Sequence, residues 1–210
     1  MAPFELFLLA VLNVAAAALP DYRGATGPYD VLIAREPNKL QQHRIPSKSQ
    51  KSSGSYQCFQ AGLSQDGSPR PWLAFERLWQ VNEPTILSKN GGNTYIEHYI
   101  KDAILQVSEE SHVDARLLLA IMMQESNGKA RMQCKPQSSG ENRCGLMQVA
   151  NGKTFDENDA KASILEMMRE SVNGNHLDRA LDTDDRYLCD VTNRLLGWNG
   201  NGEGYRACGQ

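Results

Sequence analysis

Ala120-Ile121-Met122-Met123-Gln124-Glu125-Ser126-Asn127-Gly128 is the stretch that decides the fold. Leu117 and Leu118 precede it, so the run is apolar on most of a helix surface, and such a helix is buried in the middle of a domain. Asp114, after Val113, is a fitting N-cap, and Gly128 is placed to end the helix. Glu125 therefore sits where an apolar helix stops. Burial disfavours a charged carboxylate and raises its pKa. A carboxylic acid kept protonated near neutral pH is what breaking a glycosidic bond requires, because the leaving oxygen must receive a proton. A capping or salt-bridged glutamate is the other reading of the same placement.

Working outward, Tyr95 to Ser111 carries Ile96, Tyr99, Ile100, Ala103, Ile104 and Val107 on one face, which predicts an amphipathic helix. Asp159 to Val172 and Asp184 to Trp198 repeat that pattern, the latter with Tyr187, Val191, Leu195 and Leu196 inside. Trp72, Phe75, Leu78 and Trp79 follow Pro71 at helical spacing, with the proline suited to a first turn. These aromatics read as core anchors, although tryptophan faces also stack on sugars. Asn90-Gly91-Gly92-Asn93 is a turn. Strand signals are weak and short, and no internal repeat is found. The class is mainly α.

The chain has 210 residues, which suits one domain with flanking sequence. Phe4 to Ala18 is almost wholly apolar and ends in three alanines, which predicts a signal peptide over residues 1–18, with Glu5 as an irregular feature. The run is too short to span a membrane comfortably. A soluble, secreted, extracellular protein with no membrane association is expected. Residues 19–57 read as a disordered linker or pro-segment, since Lys39 to Tyr56 is rich in Gln, Ser and Lys. Residues 19–60 carry six Lys/Arg against three Asp/Glu, and residues 61–210 carry 16 against 21. That acidic body argues against nucleic acid as a partner and mildly for a neutral glycan. The five cysteines, Cys58, Cys134, Cys144, Cys189 and Cys208, predict disulfides in an exported chain, with one thiol over. Cys134–Cys144 and Cys189–Cys208 are the economical local pairings, though sequence does not fix connectivity. No Cys-x-x-Cys occurs and the four histidines are scattered, so no metal site is expected.

Two pieces in order, Ala120 to Gly128 and then Gly145-Leu146-Met147-Gln148-Val149 about 20 residues later, resemble the lysozyme-like superfamily, in its soluble lytic transglycosylase and goose-type lysozyme branch. The chain is also similar to fungal secreted proteins of this type at Trp72 to Asn82, Val113-Asp114, Ile164 to Met168 and Cys189 to Trp198. The likeness covers roughly residues 58–208. Lysozyme-like β-1,4-mannanases share the Met-Gln-Glu-Ser and Gly-Leu-Met-Gln pieces, so fold and acid are implied more firmly than substrate. The resemblance implies a lysozyme-like fold, a single helical domain with a cleft over residues 58–210. It implies a monomeric enzyme without cofactor that cleaves a β-1,4-linked polysaccharide such as peptidoglycan, chitin or mannan. Glu125 is implied as the general acid and Ser126 as a residue positioning it or a sugar. Gly145 would allow close backbone approach, Leu146 and Met147 would form an apolar wall, and Gln148 would bond the substrate or Glu125.

Two departures qualify that picture. No second carboxylate stands on a family pattern; Glu141, Asp156, Glu157 and Asp159 read as solvated loop charges. The transglycosylase branch needs no base, because the sugar's own 6-hydroxyl closes the ring. The family's Tyr-Asn-Ala-Gly or Tyr-Asn-Ser-Gly segment has no counterpart between Met168 and Tyr187. A catalytically weak lysozyme-fold glycan-binding protein is therefore the alternative expectation.

Overall fold

The computed structural model describes residues 54–58, 72–173, 185–202 and 204–208. The expected signal peptide, most of the expected linker, Pro71 and residues 174–184 lie outside them. The described residues are mainly helical, as expected. They form α1 (Phe75–Lys89), α2 (Thr94–Ser111), α3 (Ala115–Glu125), α4 (Ala160–Val172), α5 (Asp185–Leu195) and a terminal 3-10 turn, Gly204–Cys208. Between α3 and α4 runs a small antiparallel ribbon, β1 (Lys135–Pro136), β2 (Asn142–Cys144) and β3 (Val149–Ala150). Lys135 pairs across from Arg143, and Cys144 from Val149.

The helix starts follow their caps. Asn93 accepts from the Tyr95 and Ile96 amides, Asp114 from Arg116 and Asp159 from Ala162. Helix α1 has no side-chain cap and begins at Phe75, later than a first-turn Pro71 implies. The reason is an inter-element bond: the Leu73 amide donates to the Leu195 carbonyl at 3.1 Å, which holds Trp72 to Ala74 out of the helix. The same helix runs on through Pro84 to Lys89. Pro84 is exposed, on a face where solvent can satisfy the carbonyl its missing N–H releases.

Helix α3 is the centre of the molecule. All seven residues from Leu117 to Met123 are buried, and α1, α2 and α5 pack around it. Burying each such side chain stabilises the fold by roughly 1.5–3 kcal/mol. Helix α4 packs on the far side of α2.

Two disulfides close the fold. Cys134–Cys144 ties the loop after α3 to β2, as the local pairing anticipates. The other local pairing, Cys189–Cys208, is corrected: Cys208 joins Cys58, 150 residues away, and Cys189 is a buried thiol on α5. The end of the expected linker is also tied into the body. The Gly54 amide donates to the Gly197 carbonyl at 2.9 Å, and the Tyr56 hydroxyl to Asp190 at 2.7 Å.

Candidate functional site

Glu125 is the last residue of α3 and is half-buried. Desolvation pushes its carboxyl pKa up, and it outweighs three opposing influences: a hydrogen bond from Tyr187 and the positive charges of Arg143 and Lys135. The Tyr187 hydroxyl donates to Glu125 Oε1 at 2.7 Å. Burial and the neighbouring carboxylate in turn push the Tyr187 phenol up, so it stays a donor. With Oε1 engaged, Oε2 is the oxygen without a hydrogen bond among the described residues.

The backbone beyond Glu125 turns sharply. Asn127 and Gly128 both take positive φ, at 53° and 70°. A Cβ on Gly128 would lie 2.7 Å from the Ile86 side chain, so the close approach of this loop to α1 needs glycine. Asn90 holds the loop in place. Its Nδ2 donates to the Gly128 carbonyl at 2.7 Å and to Ile86 at 2.8 Å, while its Oδ1 accepts from the Ala130 amide at 3.0 Å. In sequence Asn90 reads only as the first residue of a turn; nothing local reveals this long-range bridging.

The other expected site residues stand mostly behind the surface. Ser126 is buried, and its hydroxyl donates to the Met122 carbonyl at 3.2 Å. Leu146 and Met147, expected as an apolar wall, are 0% exposed and belong to the core. Gly145 has φ 72°, and a Cβ there would lie 2.4 Å from the Lys153 carbonyl and 2.8 Å from Met167 Sδ. Its smallness therefore serves packing of the ribbon against α4. Gln148, with φ 49°, is 1% exposed; its Nε2 donates to the Gly145 carbonyl at 2.9 Å, and its Oε1 has no partner among the described residues.

Tyr187 is the partner of Glu125 that the sequence hid. It reads as one apolar position of the last helix, and no short motif marks it. The usable signal was the stripe Tyr187, Asp190 and Arg194, three polar-tipped residues on one face of α5. Asp190 Oδ2 accepts from Gln124 Nε2 at 3.1 Å, and Arg194 Nε donates to Gln124 Oε1 at 2.8 Å. The stripe thus grips two consecutive residues, Gln124 and Glu125, at the end of α3.

The acids considered as a second carboxylate have other partners. Glu157 pairs with Arg131, Asp156 accepts from the Asn158 amide, and Asp159 caps α4. Glu141 is exposed near the tip of the ribbon. A cavity of about 420 Å³ opens between residues 131–134 and Thr154, Phe155 and Glu157, and Glu125 does not line it.

A comparison with curated proteins found no match, and neither did a comparison with solved structures. Residues 102–173, which include Glu125 and the Gly145 to Gln148 segment, match the family model described as the transglycosylase SLT domain, of the lysozyme-like superfamily, and the mainly helical fold is consistent with it.

Proposed function

We propose that this chain cleaves a β-1,4-linked glycan in the manner of a lytic transglycosylase, with Glu125 as the single acid-base group. The observation that carries this reading is a half-buried carboxyl, pushed up by desolvation, at the end of an apolar helix and held by Tyr187 at 2.7 Å. Protonated Glu125 donates from Oε2 to the glycosidic oxygen as the bond to C1 breaks, and the alcohol leaves. The carboxylate, steadied by Tyr187, then takes the proton of the same sugar's 6-hydroxyl. That oxygen bonds to C1, closing an anhydro ring and returning Glu125 to its starting state. No second carboxylate is needed, which suits a site where Asp156, Glu157 and Asp159 are engaged elsewhere. A hydrolase would need a second carboxylate within roughly 10 Å, and Asp190, the acid on Gln124, already has both oxygens engaged by Tyr56 and Gln124.

The charges near Glu125 favour one substrate among the three. The acidic body argues for a neutral glycan, but the side chains whose charge reaches Glu125 are Arg143 and Lys135, paired across the ribbon. Two cations beside the scissile bond suit an anionic polymer such as peptidoglycan. Gln148 Oε1 is a buried acceptor with no partner among the described residues and lies out of a sugar's reach, so we assign Gln148 to the backbone behind Glu125, where its Nε2 holds the Gly145 carbonyl at 2.9 Å. Ser126, Gly145, Leu146 and Met147 act with it from behind the surface by fixing the backbone around Glu125. Secretion belongs to the same reading. Two disulfides suit an oxidising compartment, and no described helix is long and apolar enough to cross a membrane.

The test is product chemistry. Recombinant protein is incubated with peptidoglycan, chitin oligomers and mannan, and products are read by mass spectrometry. Anhydro-sugar ends are expected, and Glu125→Gln should abolish their release. Reducing ends would replace the transglycosylase route by hydrolysis. Residual turnover in Glu125→Gln would remove Glu125 as the acid. No release from any glycan would leave the binding-protein reading.

A further inference from the structure

The segment Gly54–Cys58 does more than lead into the domain. Tyr56 donates to Asp190 Oδ1 at 2.7 Å, while Asp190 Oδ2 is held by Gln124 at 3.1 Å. Gln57 and Asn193 exchange two bonds, amide to Oδ1 at 2.8 Å and Nδ2 to carbonyl at 2.9 Å, which resembles one rung of a strand pair. The Tyr56 ring meets Trp198 edge-on at 4.8 Å, and Arg194 lies over the same Trp198 at 5.0 Å. Cys58 is bonded to Cys208 beyond α5. Tyr56 and Gln57 are therefore fastened to α5 through Asp190 and Asn193, and Gly54 and Cys58 to Gly197 and Cys208 beyond it.

Those fastenings bear on the acid. Asp190 bridges Tyr56 on one side and Gln124 on the other, and Gln124 is the neighbour of Glu125 in the last turn of α3. Tyr187 lies one turn before Asp190 on the same face of α5. Both contacts, Asp190 with Gln124 and Tyr187 with Glu125, depend on α5 keeping one distance and rotation against α3. Arg194 is held in the same contact: it is buried, its Nε donates to Gln124 at 2.8 Å, its Nη1 has no partner among the described residues, and its pKa is pulled down to about 10, chiefly by burial. A side chain so placed stays only if its surroundings are fixed, and Trp198 and Tyr56 fix them.

We propose that Gly54–Cys58 is a positioning strap for the acid site, in which Tyr56, acting through Asp190 and Gln124, sets α5 so that the Tyr187 hydroxyl stays on Glu125. Tyr56 is a positioning residue; it does not touch Glu125. The inference rests on the reading of Glu125 as the acid, yet its central claim concerns geometry and can be measured without a substrate.

The experiment follows the Glu125 side-chain carboxyl by NMR against pH in the full chain, in the parent, Tyr56→Phe and Tyr187→Phe. The titratable and charged groups acting on Glu125 are the neutral Tyr187 phenol from α5 and the cations Arg143 and Lys135 from the ribbon; Arg194 acts on Tyr187. Neither substitution touches the ribbon charges. Tyr187→Phe removes the donor that lowers the midpoint, so the midpoint should rise. Tyr56→Phe should move it in the same direction and at least half as far. A lower melting temperature with an unmoved midpoint in Tyr56→Phe would make the strap merely structural and overturn the proposal. An unmoved midpoint in Tyr187→Phe would overturn it as well. Should Tyr56→Phe not fold, the double substitution Cys58→Ser with Cys208→Ser, which unfastens the strap and leaves Tyr56 in place, is held to the same two outcomes. If no glycan is cleaved, the proposed function fails, while these midpoints still decide the strap.

Discussion

Glu125 experiences opposed influences, and their signs can be separated. Desolvation raises its pKa while the Tyr187 hydroxyl lowers it. Tyr187→Phe should therefore shift the alkaline limb of the pH–rate profile upward, because the acid must be protonated to act. The maximal rate should fall roughly 10- to 100-fold, since a hydrogen bond to a charged group is worth ~1.5–3 kcal/mol and ~1.4 kcal/mol is a factor of ten. An unshifted limb would mean that Tyr187 does not govern this carboxyl. Stability gives an independent check. A carboxyl whose folded pKa is raised costs nothing below its unfolded pKa, and its penalty grows as pH rises towards the folded value. Glu125→Gln removes that penalty and keeps an oxygen for Tyr187. It should melt above the parent at about pH 7 and equal to it at about pH 3, where the unfolded carboxyl is also protonated. A variant less stable than the parent at neutral pH would contradict the desolvated setting.

Elements were legible in sequence where period and caps agreed. The face of α2, the unbroken apolar run of α3 and the Asp114 cap fall where periodicity and side-chain chemistry put them, whereas Asp159, read as a solvated loop charge, turns out to cap α4. Glu125 was visible for the same reason, as a polar stop on an apolar run. What the sequence could not supply were contacts between distant segments. Trp72 to Ala74 is kept extended by a bond to Leu195, so α1 starts later than its aromatic spacing implies. Gly145, Leu146 and Met147 form a motif whose letters look like a cleft lining, yet their surroundings make them packing residues. Asn90 is the sharpest case, since one side chain closes α1 and fastens the loop beyond Glu125. Asn90→Ala should cost about 2–4 kcal/mol, because the Ala130 amide and the Gly128 carbonyl each lose a partner in a buried setting. Activity should fall along with it, through the displaced loop. A loss below about 0.5 kcal/mol in urea unfolding would show that water replaces the bridge.

At the scale of the molecule, the bridge from Cys58 to Cys208, which joins the first and last described segments, matters most. A disulfide restrains the unfolded chain more as its loop lengthens, and Cys58–Cys208 spans 150 residues, whereas Cys134–Cys144 spans 10. The long bridge should therefore contribute more to global stability, on the order of 4–5 kcal/mol on the chain-entropy account. The short one mainly fixes the shape of the ribbon that carries Lys135 and Arg143. Sequence proximity argued for Cys189–Cys208, but helix α5 buries Cys189 in the interior while Cys208 sits at the end of the terminal turn. Peptide mapping without reduction should recover the fragment of Cys58 linked to that of Cys208. An alkylating reagent should label Cys189 only after denaturant is added, because its thiol is 3% exposed in the fold. Recovery of a Cys189–Cys208 link would remove the strap's covalent anchor. Labelling of Cys189 in the native protein would show that α5 opens from the surroundings that bury it, beside Tyr56, and would undercut the fixed placement of α5 on which the hold of Tyr187 on Glu125 depends.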